Sequence, residues 1–137
     1  MNMEKVAKLV VIADKNNYLL MQRSNHLTFP SDPDLHGGTV EAGELLLDAM
    51  LREVLEEASF LIDQEDIKML YDGNESSAHH IYYTLYVAKL AKRPEVIISW
   101  EHSSYSWLDR DQFLDKAKNA KDMYMHMVYD VMSRNNI

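Results

Sequence analysis

The sequence predicts a mixed α/β fold in which helices pack against a β-sheet. Three observations support this prediction: apolar runs of strand length bounded by turn residues, one strongly periodic helical segment near the middle of the chain, and two helical patterns at its end. With 137 residues, of which 47% are hydrophobic and 26% charged, the chain suits a single globular domain over residues 1–137.

The first third of the chain predicts a β-hairpin followed by a long loop. Residues 5–13 and 18–21 are rich in Val, Leu and Ile, and the Asp-Lys-Asn-Asn sequence between them supplies a turn. Residues 25–43 contain two prolines and a glycine pair and have little periodicity. We therefore expect them to form a loop that runs over the sheet and leads into a helix.

The second half of the chain predicts further strands and then helices. We expect strands at residues 67–71 and 81–90, and a further short strand at residues 96–98. Residues 111–118 and 122–134 show helical periodicity, and the methionines of the last segment are interpreted as core packing.

The clearest helical pattern covers residues 44–59. Its apolar positions gather on one side at a step of roughly 100° per residue. These positions are Leu47, Leu51, Val54, Leu55 and Ala58. Glu53, Glu56 and Glu57 stand at i, i+3 and i+4 and project from the other side, within reach of a common point. The expected helix therefore has a core face and an acidic face.

The acidic face has two interpretations. Most clusters of glutamates are simply a solvated surface. Alternatively, the three carboxylates bind a cation, which would remove a repulsion of about 0.2–0.5 kcal/mol between like charges at i and i+4. The chain has no cysteine, so a metal would take oxygen or imidazole ligands. Mg²⁺ is then the leading candidate, with Mn²⁺ as a substitute.

The charge balance and the hydropathy exclude several classes of partner. A net charge of −8 and a pI near 5.1 argue against binding to a nucleic-acid polymer and against a basic membrane-docking surface. No apolar run reaches the roughly 18 to 20 residues that span a bilayer. Residues 1–5 lack the basic and then apolar order of a signal peptide, so we expect a soluble, cytoplasmic protein.

The spacing of residues around the acidic helix is more specific. It reads Gly38, five residues, Glu44, seven residues, Arg52-Glu53-Val54, one residue, Glu56-Glu57, one residue, Ser59-Phe60. This pattern resembles the Nudix box, the signature of the Nudix hydrolase family, at every position but one. The exception is Ser59, where the family usually has a glycine suited to a left-handed helix cap. The resemblance implies the Nudix fold, a mixed β-sheet sandwiched between helices (α/β/α).

The resemblance also implies a reaction. A nucleoside diphosphate linked to a further group X would be hydrolysed by water attacking one phosphorus, with Mg²⁺ balancing the charge. Glu53, Glu56 and Glu57 carry over as metal ligands, and the Gly37 carbonyl is a further candidate ligand.

Other positions of the motif carry supporting roles. Arg52 would orient the glutamates for catalysis, and Glu44 would anchor the loop and the start of the helix. Gly37 and Gly38 would let the backbone come close to metal and phosphate. His36 stands where many relatives have proline; it would either touch phosphate or, as we favour, be a loop histidine with only a local hydrogen bond.

The general base has two candidates. In some relatives it is a box glutamate, which would be Glu53 here, and in others it is an acid on a later loop. Glu101 resembles that later acid because it precedes a Trp that follows a strand. His102 and Tyr105 share the expected loop at residues 100–107, where they either meet the substrate or cap a turn.

The box does not set the identity of X. Our first choice is a MutT-like nucleoside triphosphate pyrophosphohydrolase, and an ADP-ribose, dinucleotide or nucleotide-sugar pyrophosphatase is the alternative. A third interpretation is a regulatory module that binds a small nucleotide without catalysis. Tyr82, Tyr83 and Tyr86 could stack a nucleobase, although alternating aromatics on a strand favour the core. A homodimer is consistent with family habit.

Overall fold

Seven strands account for most of the apolar stretches in the part of the chain that the structure, a computed structural model, describes: residues 4–25, 28–73 and 81–135. They are β1 Glu4–Ala13, β2 Asn17–Arg23, β3 Pro33–Asp34, β4 His36–Thr39, β5 Ile67–Gly73, β6 Ile81–Leu90 and β7 His102–Leu108. Residues 1–3 of the expected start and residues 26–27 of the expected loop lie outside the described residues.

The described residues also form three α-helices, each with a cap at one end. They are α1 Leu46–Ala58, α2 Arg110–Lys118 and α3 Met123–Arg134. Asp109 caps α2 in a reciprocal arrangement with Gln112, and Asp122 accepts a hydrogen bond at the start of α3. Ser59 ends α1 in the left-handed conformation, with φ 60° and ψ 29°. None of the helices among these residues is long and apolar enough to cross a membrane.

The sheet is built around β1. This strand pairs in parallel with β6 along its whole length, and β5 continues the sheet antiparallel to β6. On its other side β1 forms the expected hairpin with β2, which in turn pairs antiparallel with β3 and β7. Parallel and antiparallel pairs thus coexist, which confirms the mixed sheet.

Two apolar cores cover the two faces of the sheet. Alternate residues of β1 enter different cores: Val6 and Val10 face α2 and α3, whereas Ala7 and Leu9 face α1. Because both faces are buried, β1 is an almost continuous apolar run. The layers are α/β/α, as the resemblance implied. Tyr83 and Tyr86 are buried as core residues, and Tyr82 is half-buried.

Three expectations about the sheet were wrong. Residues 25–43 are not wholly a loop, since β3 and β4 lie within them. Residues 96–98 form no strand, because their backbone runs beside the end of α1, where Ile97 N donates to Ala58 O at 3.1 Å. The expected loop at residues 100–107 is largely β7, whose serines hide the apolar alternation of a strand.

The orientation of α1 also differs from the prediction of separate acidic and apolar faces. The helix begins at Leu46 rather than at residue 44, and Glu57 is buried together with Val54 and Ala58. Leu55, expected in the core, is exposed. A buried hydrogen-bond donor at the Glu57 carboxylate, described below, explains this rotation.

Candidate active site

The candidate site lies where β1 and β2 separate. The two strands pair only next to their turn and then diverge. The chain from β3 to β4 fills the gap, because β3 pairs with β2 whereas β4 pairs with β1. Since α1 packs on β4, the pair Gly37-Gly38 lies beside the glutamates of that helix.

Both glycines of this pair lie where a side chain would make a close contact. Gly37 has φ 129°, and a Cβ there would lie 2.0 Å from the Ala7 carbonyl oxygen. A Cβ at Gly38 would lie 2.7 Å from the Glu53 carboxylate carbon. At position 37 the backbone therefore excludes a side chain, whereas at position 38 a side chain would displace the Glu53 carboxylate.

Glu57 is the buried acid of the site, with an exposed fraction of 3%. Its Oε1 accepts a hydrogen bond from the Gly37 N–H at 2.8 Å. Burial raises the pKa of Glu57 to about 9, and the negative charges of Asp34 and Glu101 add to that rise, although the Lys8 ammonium and the Gly37 bond oppose it. Without a cation, this carboxyl group is protonated near neutral pH.

Glu53 lies beside Gly38 and shares its surroundings with a second acid. Burial raises its pKa, which the hydrogen bond from Arg52 opposes and the charges of Glu56 and Glu101 increase further. Because Glu101 also raises the pKa of Glu57, the carboxylates of Glu53, Glu57 and Glu101 lie within one electrostatic environment.

Arg52 organises the acids around it. Its Nε and Nη2 bind both oxygens of Glu44 at 2.8 and 3.0 Å, and its Nη1 donates to Glu53 at 3.0 Å. A further contact from Nη1 to Glu56 is longer, at 3.5 Å. The bond from Arg52 lowers the pKa of Glu44 to about 2, and Glu44 also accepts a bond from the Glu41 N–H. The guanidinium thus links the loop before α1 to the glutamates.

The three helix glutamates do not converge as closely as their spacing suggested. The side chain of Glu56 is 59% exposed, whereas that of Glu57 is turned into the core. Among residues 4–25, 28–73 and 81–135, no three His, Asp or Glu side chains form a group that could hold a metal ion as they stand.

Glu101 reaches this site through a turn that the sequence prediction treated only as part of a loop. The Ser99 N–H donates to Glu57 O at 3.0 Å, which attaches the turn to the end of α1. The Ser24 N–H donates to Glu101 O at 3.0 Å, which attaches it to the end of β2. The turn that carries Glu101 is therefore attached at one side to α1, which borders the glycine pair, and at the other to the end of β2.

Tyr105 lies in β7, opposite Met21 of β2. Paired residues share a face of the sheet, and Met21 belongs to the core on the α1 side. Tyr105 is 40% exposed, so its ring is accessible on the side that carries the glutamates.

His36 is a strand residue with an exposed fraction of 1%, so our preference for a loop histidine with a local hydrogen bond was wrong. Neither ring nitrogen has a hydrogen-bond partner among the described residues. The ring packs edge-on against Phe60 and His102, at centroid distances of 5.8 and 6.3 Å. Burial lowers its pKa to about 3, and the neighbouring His102 adds to that effect.

A buried ionic cluster, here named the Asp34 cluster, lies next to these rings and consists of Asp34, Lys8, Arg23, His102 and Tyr124. Asp34 accepts hydrogen bonds from Lys8 Nζ at 3.3 Å, from His102 Nε2 at 3.0 Å and from the Tyr124 hydroxyl. Burial would raise the pKa of Asp34, but the neighbouring donors hold it well below its usual range. Sequence analysis missed this cluster, although a lysine and an arginine inside apolar strands were a signal for it.

Comparisons with known proteins agree with this architecture. The family model for the NUDIX domain matches residues 3–127. A MutT/nudix family protein from Enterococcus faecalis has a TM-score of 0.77 and 21% identity over 98% of this chain, which spans 62% of that protein.

Two further solved structures resemble the chain over nearly all of both molecules. A C. elegans Ap4A hydrolase has a TM-score of 0.68 and 24% identity, covering 96% of this chain and 93% of its own. The E. coli dihydroneopterin triphosphate pyrophosphohydrolase has a TM-score of 0.69 and 18% identity, covering 98% and 97%. No curated protein matches the chain in sequence.

The fold and the site define an α/β domain that presents a carboxylate-rich helix against a glycine pair. The match over residues 3–127 assigns the chain to the Nudix hydrolase family, whose members act on nucleotide-linked substrates. Identities below 25% support the shared fold and do not identify the substrate.

Proposed function

We propose that this chain is a Mg²⁺-dependent pyrophosphohydrolase that converts a nucleoside triphosphate and water into a nucleoside monophosphate and pyrophosphate. The observation that carries the proposal is the contact between the glycine pair and two carboxylates: Gly37 donates to Glu57, and Gly38 leaves room for Glu53. Side-chain-free backbone beside acids is what a site for a metal-bound phosphate requires.

The acids fit a hard cation by their chemistry. All candidate ligand atoms are oxygens. The charge of Glu101 raises the pKa of both Glu53 and Glu57, and that of Glu56 adds to the rise at Glu53, a repulsion that a divalent ion would remove. Glu53, Glu56, Glu57 and the Gly37 carbonyl are the proposed ligands, with Mn²⁺ as a substitute for Mg²⁺. When bound, the ion would neutralise phosphate charge and make a bound water more acidic.

The residues of the chain would then divide the remaining work. Glu101 is the proposed general base, because its carboxylate makes no hydrogen bond to any residue that the structure describes, whereas Glu53 is bound by Arg52. Arg52 and Glu44 would keep Glu53 in place. Gly38 and the exposed ring of Tyr105 would face the substrate. His36 is too deeply buried for the phosphate contact considered above.

The choice of a triphosphate rests on the sequence expectation and is consistent with the similarity to the E. coli dihydroneopterin triphosphate pyrophosphohydrolase. The C. elegans Ap4A hydrolase illustrates a dinucleotide alternative. ADP-ribose and nucleotide sugars are further alternatives from the sequence expectation.

The test is a phosphate- and pyrophosphate-release screen with Mg²⁺ or Mn²⁺ over nucleoside triphosphates, ADP-ribose, dinucleotides and nucleotide sugars. Glu101→Gln and Glu53→Gln should each lower kcat by about 10²–10⁴-fold. Asp48→Asn, which changes an exposed carboxylate of the same helix, is the matched control and should leave kcat unchanged. If the chain hydrolyses only one of the other substrate classes, that class would replace the nucleoside triphosphate as the proposed substrate. Nucleotide binding without turnover of any class would favour the non-catalytic module.

A further inference from the structure

The proposed base is connected to the Asp34 cluster through the chain itself. His102 directly follows Glu101, and its ring is buried and bonded to Asp34 Oδ2 at 3.0 Å. Because the ionised carboxylate of Asp34 only accepts hydrogen bonds, the bond requires the ring proton on Nε2. The side chain of His102 therefore anchors one end of the turn that carries Glu101 to the interior of the sheet.

The backbone alone holds this turn at few points. Ser99 N–H binds Glu57 O and Ser24 N–H binds Glu101 O, both at 3.0 Å, and His102 N–H closes the turn onto Ser99 O at 3.2 Å. The register between β2 and β7 also shifts beside His102, so the ladder is irregular where the turn begins. A side-chain anchor at this point would remove the freedom that the irregular ladder leaves.

The polar ring of His102 argues against packing as the only role of this side chain. The ring of His102 is buried, yet its Nδ1 has no hydrogen-bond partner among the described residues. A buried polar atom without a partner destabilises the fold, and an apolar side chain would fill the same space without that cost. Asp34 would still keep Lys8 and Tyr124 as partners without His102. The bond between Asp34 and His102 therefore calls for a reason other than stability.

We propose that Asp34 and His102 are positioning residues: the hydrogen bond between their side chains holds Glu101 in line with the site and so controls the catalytic step. The inference rests on the proposed function, in which Glu101 is the base. Neither residue would touch the substrate, since both are buried.

The test compares variants on the two sides of the same carboxylate. Asp34→Asn would leave the buried Lys8 ammonium without its carboxylate partner and is prone to unfolding, so the substitutions are made around it. His102→Leu removes the anchor, and His102→Gln keeps an N–H donor at a similar reach. Tyr124→Phe is the matched control, because it removes another donor to Asp34 from α3, which has no chain connection to the turn.

The expected result is selective for the catalytic step. His102→Leu should lower kcat by about 10- to 100-fold while KM stays within about threefold. His102→Gln should recover most of that loss, and Tyr124→Phe should keep the wild-type kcat despite a comparable fall in melting temperature. Equal losses of kcat in His102→Leu and Tyr124→Phe, or an unchanged kcat in a folded His102→Leu, would overturn the inference and leave the proposed function standing. A wild-type chain that turns over none of the substrates refutes the proposed function, and the positioning role with it.

Discussion

Three glycines near the site are glycine for different reasons, so replacing each by alanine separates the fold from the catalytic geometry. At Gly37 a Cβ would overlap the Ala7 carbonyl oxygen at 2.0 Å, and the backbone has φ 129°. Gly37→Ala should therefore either fail to fold or lose several kcal/mol of its free energy of unfolding. At Gly43, with φ 79°, a Cβ meets nothing within 4 Å. Gly43→Ala should cost about 1 kcal/mol of strain and keep full activity.

Gly38→Ala should instead keep the stability of the fold and lose activity. This backbone is not in the left-handed region, and the nearest atoms belong to the end of the flexible Glu53 side chain. Carbon atoms pack at about 3.5 Å, and the Cβ would start 2.7 Å from the Glu53 carboxylate carbon. The carboxylate must therefore move by about 0.8 Å. Since a misplacement of about 1 Å costs on the order of 100-fold in rate, kcat/KM should fall by about that factor, or about 2.7 kcal/mol.

Two measurements on the three variants check this prediction: urea unfolding for stability and pyrophosphate release for kcat/KM. The expected order of stability is Gly38→Ala above Gly43→Ala above Gly37→Ala, whereas the expected order of activity places Gly43→Ala first. A folded Gly38→Ala variant with wild-type kcat/KM would refute the placement of Glu53 beside Gly38 as the active geometry.

Four further predictions concern charge and capping. Because burial raises the pKa of Glu57 to about 9, the free energy of unfolding without metal should fall as pH rises from about 4.5 to 9, by at most about 1.4 kcal/mol per pH unit. Urea titrations should show this slope in the wild type, and Glu57→Gln should remove it. For the same reason Mg²⁺ should displace about one proton at pH 7, seen by calorimetry in buffers of different ionisation enthalpy; binding without proton release would contradict the assignment. The lysine of an Arg52→Lys variant cannot bind Glu44 and Glu53 at once, so kcat should drop by about tenfold with little change in KM. An unchanged kcat in steady-state assays would exclude an orienting role for Arg52. Ser59→Gly should raise the free energy of unfolding by about 0.5–1 kcal/mol, because glycine adopts φ 60° without strain; a less stable variant would show that the Ser59 side chain contributes more than its strain costs.

The parts of the fold that sequence predicts well are those with an uninterrupted apolar run or period. The hairpin of β1 and β2 follows from two apolar runs around a turn, and the strand β6 and the helix α1 each keep one period. Each was placed within a few residues of its observed bounds. The polar strand β7 was missed because its serines give no apolar alternation. Its pairing depends on β2, a long-range contact that local pattern does not encode.

The candidate site was predicted from spacing, but its electrostatics were not. The motif identified Glu53, Glu56 and Glu57, yet helical geometry gave all three one environment. The Gly37 N–H gives Glu57 a buried partner, which turns that acid inward and leaves Glu56 exposed. The Asp34 cluster escaped prediction because its members come from five different strands and helices and meet only after folding.

The most direct test of the central claim is the rate of pyrophosphate release from a nucleoside triphosphate as Mg²⁺ is titrated from zero. We predict no turnover in the presence of a chelator, a saturable rise with Mg²⁺, and a loss of at least about 100-fold in Glu53→Gln but not in Asp48→Asn. Turnover that persists without a divalent ion, or that is equal in both variants, would contradict a hydrolase centred on the glutamates of α1.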